Sequence, residues 1–467
     1  MRLPRAAILL SAALGLVPGG GSVQGAARAP NIILIYADDL GWGDVGFNGR
    51  AEWATPNLDR LGARGTIFKR FYTAAVICAP SRAAMLTGKS TIHCGVSRND
   101  DDLPAEEVTI AEALRARGYA TALFGKWHHG KPRAKPAAGE LGYVHPMDQG
   151  FDEFFGFTDA VHAWEKFPKV LWEGRARCPV SGYADDLFTD RALDFLRRNR
   201  NRPFFLYLPL ISAHFQIEAP EEEVALHRGK FPEADPSRPV NATYAAMVTR
   251  LDKEVGRVVA AVEELGLSGQ TLIVFTSDHG ATFEQGNLGT SNALDSNRPF
   301  RGQKRTLWEG GIRVPALACW PGHIPAGVVS EGIVHMTDLL PTLLAAAAAA
   351  PEPAGKVDGL NLLAAWTGQA PYPDRTLFWE WRSEGSNQLA ALRGDLKLVI
   401  TQGGKPELFQ VVTDPAERRN IVAERSEVAR RLQDELRAWL ATEPEPSPED
   451  RAPRSDAPRE FQKGDFR

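Results

Sequence analysis

Cysteine is scarce in this sequence, with only four in 467 residues. A chain of this length can bury a sizeable core without covalent cross-links, so a small disulfide-stapled fold is excluded. The spacing of Cys78, Cys94, Cys178 and Cys319 also fits no zinc-binding pattern. The core must therefore come from ordinary apolar burial.

A strong excess of charge of either sign is also lacking. The formal net charge is −4, with 24% charged and 43% hydrophobic residues. So small a net charge gives no general attraction to nucleic acid or to anionic membranes, and we expect no nucleic-acid partner. The length is compatible with roughly two to four domains, or with one large α/β domain and an appendage.

The N-terminal segment is typical of a secretory signal peptide. Arg2 and Arg5 precede an apolar stretch over residues 6–17, and small residues follow over 19–27. The apolar stretch is too short to span a membrane comfortably. We therefore predict a signal peptide over residues 1–27, cleaved after Gly25 or Ala27, and a secreted or periplasmic protein with no stable membrane anchor.

Four continuous apolar segments each lead into polar residues that can carry chemistry. Continuous rather than alternating apolar runs are typical of strands covered by helices on both faces, and helical patterns lie between these runs. The sequence thus predicts an α/β/α sandwich around a large, mainly parallel sheet, with its site at the carboxyl edge of the strands. The segments and the residues that follow them are 31–36 with Asp38 and Asp39, 119–124 with Lys126 and His128, 204–208 with His214, and 271–275 with Asp278 and His279.

The C-terminal part has a different character. Short strand-like pieces begin at residue 376, separated by turn residues such as Gly394 and Asp395, and an amphipathic helix is predicted over 428–440. We infer a small antiparallel sheet with one helix. The last residues, 443–467, are rich in proline and charge and are predicted to be disordered.

The segment around Cys78 places a thiol directly before a predicted helix start. The free N–H groups of a helix N-terminus favour an anion, and Arg82 would add a fixed guanidinium nearby. A lone cysteine is more often buried and inert. Here, however, Cys78-Ala79-Pro80-Ser81-Arg82, followed by Leu86-Thr87-Gly88, resembles the signature of the type I sulfatases of the alkaline phosphatase superfamily.

The resemblance extends from Asn31 to about residue 440. It implies a catalytic sulfatase domain over residues 28–372 and a C-terminal subdomain over 373–442. It also implies that a formylglycine-generating enzyme converts Cys78 to formylglycine, which would leave the other three cysteines with at most one disulfide.

The resemblance further implies a divalent cation bound by Asp38, Asp39, Asp278, His279 and the modified Cys78. Taken singly, an aspartate after a strand is more often a turn or cap residue, but three of them in one cleft would repel each other without a cation. Oxygen ligands favour Ca²⁺, with Mg²⁺ as the alternative. Many family members carry Asn where this chain has His279, so the identity of the metal stays open.

The remaining roles also come from the resemblance. Arg82 would favour the aldehyde hydrate at position 78, and Lys126 and Lys304 would hold sulfate oxygens. His214 would assist the leaving oxygen, and His128 would help the hydrate collapse and release sulfate. A lysine at a strand end is otherwise more often a solvated surface group.

The sequence thus predicts a secreted sulfatase acting on a sulfated small molecule, more specifically a sulfated carbohydrate, which Trp164 and Trp172, in a predicted loop near the cleft, would suit. Two alternatives remain at this point. One is a phosphate or phosphonate ester hydrolase on the same fold, since tetrahedral oxyanions resemble each other. The other is a non-catalytic carbohydrate-binding relative.

Overall fold

The computed structural model describes residues 29–130, 142–348, 356–382, 387–402 and 404–444. The predicted signal peptide and nearly all of the predicted disordered tail lie outside these residues. In the described ranges the strands are β1 Asn31–Ala37, β2 Thr66–Tyr72, β3 Ala120–Lys126, β4 Glu153–Phe157, β5 Val170–Glu173, β6 Ala176–Pro179, β7 Phe204–Pro209, β8 Thr271–Ser277, β9 Arg313–Val314, β10 Ala316–Cys319, β11 Val328–His335, β12 Thr376–Trp381, β13 Gln388–Arg393, β14 Leu396–Thr401 and β15 Glu407–Gln410.

The helices of the same ranges are α1 Pro56–Ala63, α2 Cys78–Thr87, α3 Thr91–Cys94, α4 Ile110–Arg115, α5 Ala184–Asn199, α6 Glu221–His227, α7 Val240–Glu264, α8 Thr290–Ala293, α9 Glu309–Ile312, α10 Leu339–Ala346, α11 Leu363–Trp366 and α12 Ser426–Leu440. Within the described part of the chain, no helix combines the length and the apolar character that a membrane span requires.

An 11-stranded sheet forms the centre of the molecule, in the order β11-β2-β10-β8-β1-β7-β3-β4-β5-β6, with β9 paired to β2. The four predicted strands are β1, β3, β7 and β8, and they are parallel neighbours. Antiparallel pairing is limited to β10, β9 and the β4–β5–β6 meander. The expected α/β/α architecture is confirmed.

Both faces of the sheet are covered, as the continuous apolar strands require. In β1, Ile32 and Leu34 join one apolar cluster, with α2, α4 and α10, while Ile33 and Ile35 join another, with α1, α5 and α7. Every residue of β1, β3, β7 and β8 is buried. Because both faces are dry, polar groups at this sheet concentrate at its carboxyl edge.

The small C-terminal sheet is antiparallel, in the order β12-β13-β14-β15, also as predicted. The amphipathic helix α12 packs against one face through Leu432 and Leu436. The opposite face, including Trp379, packs against Tyr72 and Ile77 of the large domain. The sheet therefore lies between α12 and the loop that leads to Cys78.

Polar contacts also cross this junction. The ammonium group of Lys397 on β14 is fully buried, 3.0 Å from Glu309 Oε1 and 2.9 Å from Glu417 Oε1. Tyr72 donates to Glu309 at 3.0 Å, and Trp379 Nε1 donates to Thr73 O at 2.7 Å. We call Lys397, Glu309 and Glu417 the junction triad.

Candidate active site

The predicted site residues meet at the carboxyl edge of the large sheet. Asp38 and Asp39 follow β1, Lys126 ends β3, and Asp278 and His279 follow β8. The backbone locks these ends together, because Asp278 N donates to Ala37 O at 3.1 Å and Asp39 N donates to Asp278 Oδ1 at 3.0 Å. The remaining predicted residues come from α2 (Cys78 and Arg82) and from loops (His128, His214 and Lys304), and all of them are buried.

Cys78 lies at the centre of this cluster as the first residue of α2. Its Sγ is 3.3 Å from His279 Nε2, 3.6 Å from Lys304 Nζ and 3.7 Å from Asp38 Oδ1. Burial alone would raise the pKa of the thiol, but the charges of Lys126 and Lys304 hold it well below its ordinary value. The helix start and the lysines thus favour a negatively charged or strongly polar group at this position.

Each predicted carboxylate has a cationic partner. Lys126 Nζ is 2.7 Å from Asp38 Oδ2, and Lys304 Nζ is 3.0 Å from Asp39 Oδ1. The Arg82 guanidinium spans two carboxylates, 3.1 Å from Asp278 and 3.3 Å from Asp38. Such buried pairing is required, because unpaired buried charges are strongly unfavourable.

The pairing does not neutralise the carboxylates equally. Burial would raise the pKa of Asp38, but Lys126 holds it well below its usual range. For Asp278, burial together with the charges of Asp38 and Cys78 raises the pKa well above its usual range, despite His279 and Arg82. The cluster therefore has room for additional positive charge beside Asp278.

His279 lies beside Asp278 and Asp39. Its Nδ1 donates to Gly280 O at 3.0 Å, and its Nε2 lies 3.5 Å from Asp39 Oδ1 and 3.6 Å from Asp278 Oδ1. Burial would lower the pKa of His279, but Asp278 and Cys78 raise it to about 9. A histidine held by its Nδ1–H presents Nε2 in the orientation that a metal ligand needs.

The donor set fits a divalent cation. Ligand atoms of Asp38, Asp39, Cys78 and His214 lie within 4.8 Å of one another, and so do those of Cys78, Asp278 and His279. Three carboxylates supply the oxygen ligands that a hard ion prefers, and His279 and His214 each add one nitrogen. His214, predicted to act on the leaving group, thus also lies among the possible ligands, with Nε2 3.8 Å from Asp39 Oδ2.

His128 is a buried imidazole without charge near pH 7. Burial and the neighbouring Lys126 lower its pKa to about 4, so the imidazole is neutral near pH 7 and can accept a proton. His128 and Asp39 both have left-handed backbone angles, with φ of 75° and 59°. Such conformations are uncommon outside glycine and concentrate at functional sites.

Several residues that were not predicted from the sequence support this cluster. Ser81 donates to Asp278 O at 2.6 Å, and Glu284 lies 3.6 Å from Lys304 Nζ. Asp185 and Lys166 bind the loop that carries His214. The sequence signal of Asp185 is weak, because acidic residues in a first helical turn are common.

The two tryptophans expected near the cleft lie in different places. Trp164 packs against Phe215, with ring centroids 5.2 Å apart, and Phe215 adjoins His214. Trp172 is not in a loop but on β5, where it packs against His145 and Arg177. Its expected location was wrong because the β5–β6 hairpin was not recognised.

Comparison with known proteins identifies the family. The family model described as Sulfatase matches residues 30–349, and one described as N-sulphoglucosamine sulphohydrolase, C-terminal, matches residues 301–442. The chain belongs to the sulfatase family. It is therefore a sulfuric ester hydrolase of the alkaline phosphatase superfamily, and the non-catalytic alternative no longer applies.

Similar proteins include N-acetylgalactosamine-6-sulfatase of Canis lupus familiaris, 33% identical over 433 residues that cover 84% of this sulfatase and 73% of the relative. Arylsulfatase A of Homo sapiens is 35% identical over 416 residues, covering 81% and 74%. A crystal structure of Ps i-CgsB in complex with k-i-k-neocarrahexaose has a TM-score of 0.80 at 30% identity and covers 90% of this sulfatase and 94% of that chain.

Phosphonate monoester hydrolase of Agrobacterium radiobacter has the same fold, with a TM-score of 0.65 at 21% identity, covering 89% of this sulfatase and 96% of that chain.

None of the four cysteines, which all lie within the described ranges, forms a disulfide.

Proposed function

We propose that this sulfatase is exported and hydrolyses sulfate monoesters of a carbohydrate, using formylglycine at position 78 and a divalent cation. The position of Cys78 carries the proposal: it lies at a helix start, within 3.6 Å of Lys304 Nζ and 3.3 Å of His279 Nε2. A structural cysteine in a core has no need of such partners. The Cys94 thiol shows the contrast, since burial raises its pKa to about 12.

The group at position 78 would supply the nucleophile. Hydrated formylglycine has two hydroxyls, one to attack sulfur in line with the departing alcohol and one whose deprotonation later expels sulfate. A divalent cation held by Asp38, Asp39, Asp278 and His279 would supply charge that polarises sulfate oxygens. Ca²⁺ is the proposed ion and Mg²⁺ the alternative.

The protein's own groups divide the remaining work. Lys304 Nζ and Lys126 Nζ flank position 78 through Asp39 and Asp38, where they can donate to the oxygens of the transferring group. His214 Nε2 faces Asp39 and can donate a proton to the departing alcohol. Neutral His128 can accept the proton from the second hydroxyl, and Arg82 supports the hydrate.

Two considerations support a carbohydrate substrate. The relatives named above include N-acetylgalactosamine-6-sulfatase and a structure with neocarrahexaose, and both names refer to saccharides. In this chain, half-buried Trp164 packs on Phe215 beside His214, which places an aromatic surface near the site. Aromatic side chains suit the apolar faces of sugar rings.

Mass spectrometry combined with turnover tests the nucleophile. When the protein is produced with a formylglycine-generating enzyme, the peptide containing Cys78 should show conversion of its CH₂SH group to CHO. The Cys78→Ala variant should fold and lose turnover, whereas Cys94→Ala, a control at a buried thiol, should keep it. Full activity of protein with an unmodified thiol would contradict the proposal.

Paired substrates test the reaction and the sugar. We expect higher kcat/KM for sulfate esters than for matched phosphate or phosphonate esters, and a preference for defined sulfated saccharides over aryl sulfates. A preference for the phosphonate would instead favour the alternative hydrolase.

A further inference from the structure

The loop that carries His214 is held by a buried carboxylate that has no role in the mechanism above. Asp185, in the first turn of α5, is fully buried. Its Oδ1 accepts from Ile211 N at 2.8 Å, and its Oδ2 accepts from Ser212 N at 3.2 Å and Ser212 Oγ at 2.6 Å. One side chain thus binds two consecutive residues of the loop.

The remaining groups of this segment are held as well. Lys166 Nζ donates to Ile211 O at 3.0 Å, and Tyr183 OH lies 3.0 Å from Ser212 Oγ. Ser212 O accepts from Asp38 N at 3.1 Å. The segment is therefore fixed between α5 and the first predicted metal ligand, and His214 N in turn donates to Ile211 O at 3.1 Å.

Fold stability alone does not account for Asp185 and Lys166. Burying a carboxylate and an ammonium group costs free energy, and a well-packed apolar pair is often as stable. The first turn of α5 already has a second acidic residue, Asp186, which pairs with Arg250. Such an arrangement makes sense where a loop must be held in one geometry, because small displacements of a catalytic group can cost large factors in rate.

We propose that Asp185 and Lys166 are positioning residues that hold the Ile211–Ser212 segment so that His214 Nε2 faces the leaving-group oxygen. This inference rests on the proposed role of His214 as proton donor. It makes a specific kinetic prediction, because proton donation matters most for alcohols that leave poorly as anions.

A leaving-group series tests the proposal on the formylglycine-containing enzyme. Asp185→Asn keeps the side-chain volume but replaces one acceptor oxygen by an amide NH₂ group. That group is itself a donor and cannot accept from the N–H groups of Ile211 and Ser212. We expect kcat/KM for alkyl or sugar sulfates to fall by about 10² or more, the range of general acid catalysis. For 4-nitrophenyl sulfate, whose phenolate departs without a proton, we expect a change of less than about threefold.

The double variant Asp185→Asn with His214→Ala separates positioning from a general structural effect. If Asp185 acts through His214, the double variant should be no slower on sugar sulfates than His214→Ala alone. Lys166→Met and Tyr183→Phe should show the same selectivity with smaller effects. They also keep the proposal testable if Asp185→Asn does not fold.

Asp252→Asn provides a matched control. Asp252 is also a buried carboxylate that binds two backbone N–H groups, those of Asn57 at 3.1 Å and Leu58 at 2.8 Å, but it joins α7 to α1. Its replacement should lower thermal stability without changing the ratio of rates between poor and good leaving groups.

Equal losses on both substrate classes, or additive losses in the double variant, would overturn the positioning role while leaving the sulfatase mechanism intact. An equal fall in kcat/KM for poor and good leaving groups in His214→Ala itself would also overturn it, since His214 would then donate no proton that Asp185 could help to position. Absence of formylglycine in active enzyme would instead refute the proposed function.

Discussion

Lys126 and Lys304 have similar surroundings but hold different carboxylates. Lys126 pairs with Asp38 and Lys304 with Asp39, and both lower the pKa of the group at position 78. Two buried ammonium groups on either side of the proposed nucleophile are suited to a substrate that carries its negative charge on several oxygens. Either lysine alone would leave part of that charge unpaired.

Replacing either lysine by alanine should therefore slow the hydrolysis of all sulfate esters. We expect kcat to fall by about 10² to 10³ for each, the loss typical of one preorganised contact to developing charge. In contrast to His214→Ala, the loss should be similar for 4-nitrophenyl and sugar sulfates. Lys253→Ala, at a half-exposed lysine that pairs with Glu223, is the control and should leave kcat unchanged.

Metal dependence can be measured without relying on turnover. Removal of divalent ions should lower the thermal midpoint, and titration with Ca²⁺ or Mg²⁺ should restore it, because a ligand bound only by the folded state stabilises that state. Asp38→Asn and Asp278→Asn should weaken binding measured by calorimetry and reduce turnover together. An unchanged thermal midpoint and full activity in metal-free protein would contradict the proposal that a divalent cation is bound.

His279 tests what the metal site requires of that position. Asparagine would replace the imidazole nitrogen by an amide oxygen, which Ca²⁺ prefers. His279→Asn should therefore retain or improve Ca²⁺ affinity, while affinity for ions that favour nitrogen, such as Zn²⁺ or Ni²⁺, should fall. Loss of Ca²⁺ binding in this variant would show that the imidazole itself is needed.

At the scale of elements, the strands of the large sheet that the sequence predicted are those with a continuous apolar run. β1, β3, β7 and β8 are buried on both faces, so a continuous apolar run identifies them and their polar ends identify the site. β2 was missed because Lys69 and Arg70 interrupt its apolar pattern; Lys69 reaches Asn48, and Arg70 reaches Asp395 of the small sheet. Those partners are distant in sequence, and no local pattern reveals them.

Supporting residues were missed for the same reason. Asp185 looks like any acid in a first helical turn until the loop after β7 is placed against it. Long-range packing, rather than local propensity, gives such residues their contacts, whereas strand ends and the segment after Cys78 predict the proposed reacting groups directly.

The junction triad makes the small sheet part of the large domain. Lys397→Met should leave Glu417 as an uncompensated buried charge and Glu309 with Arg313 as its remaining cationic partner, and lower the free energy of unfolding by about 3–5 kcal/mol. Combining it with Glu309→Gln and Glu417→Gln should restore part of that loss. The exposed pair Arg419–Glu424 is the control, and Arg419→Ala should cost less than about 1 kcal/mol by chemical denaturation.

A histidine in α3 should make stability depend on pH. His93 Nδ1 lies 2.7 Å from Asp358 Oδ2, and this contact raises the pKa of His93 above its ordinary value. The folded state therefore binds the proton more tightly than the unfolded chain does. Its stabilisation is full below the ordinary pKa of about 6.5 and is lost as pH rises through the raised value.

His93→Gln should therefore lower the thermal midpoint more at pH 5.5 than at pH 8.5. Thermal unfolding of both proteins at the two values measures this difference. An equal loss at both values would show that the proton on His93 contributes nothing to stability.

At the scale of the whole molecule, the small sheet and the large domain should unfold together. A chain ending at residue 372 would expose the faces of Tyr72, Ile77 and Trp308 that Trp379 and its neighbours cover. We expect it to be insoluble or inactive. A chain ending at residue 444 keeps every contact described here, and it should retain the thermal midpoint and turnover of the full protein.

Export can be tested on the intact protein. N-terminal sequencing of material from a secreting host should begin after Gly25 or Ala27, the predicted cleavage positions. Retention of the first 25 residues would contradict the signal peptide.

The indole of Trp379 donates to Thr73 O, five residues before Cys78, and Lys397 neutralises Glu309, five residues after Lys304. Recombination between sulfatases at the predicted domain boundary near residue 372 would therefore separate partners that meet only in the folded protein. A hybrid should remain active only when its C-terminal piece brings a lysine and a tryptophan at these two positions. The two pieces are thus expected to be inherited as a matched pair, even though the proposed reacting residues all lie in the first.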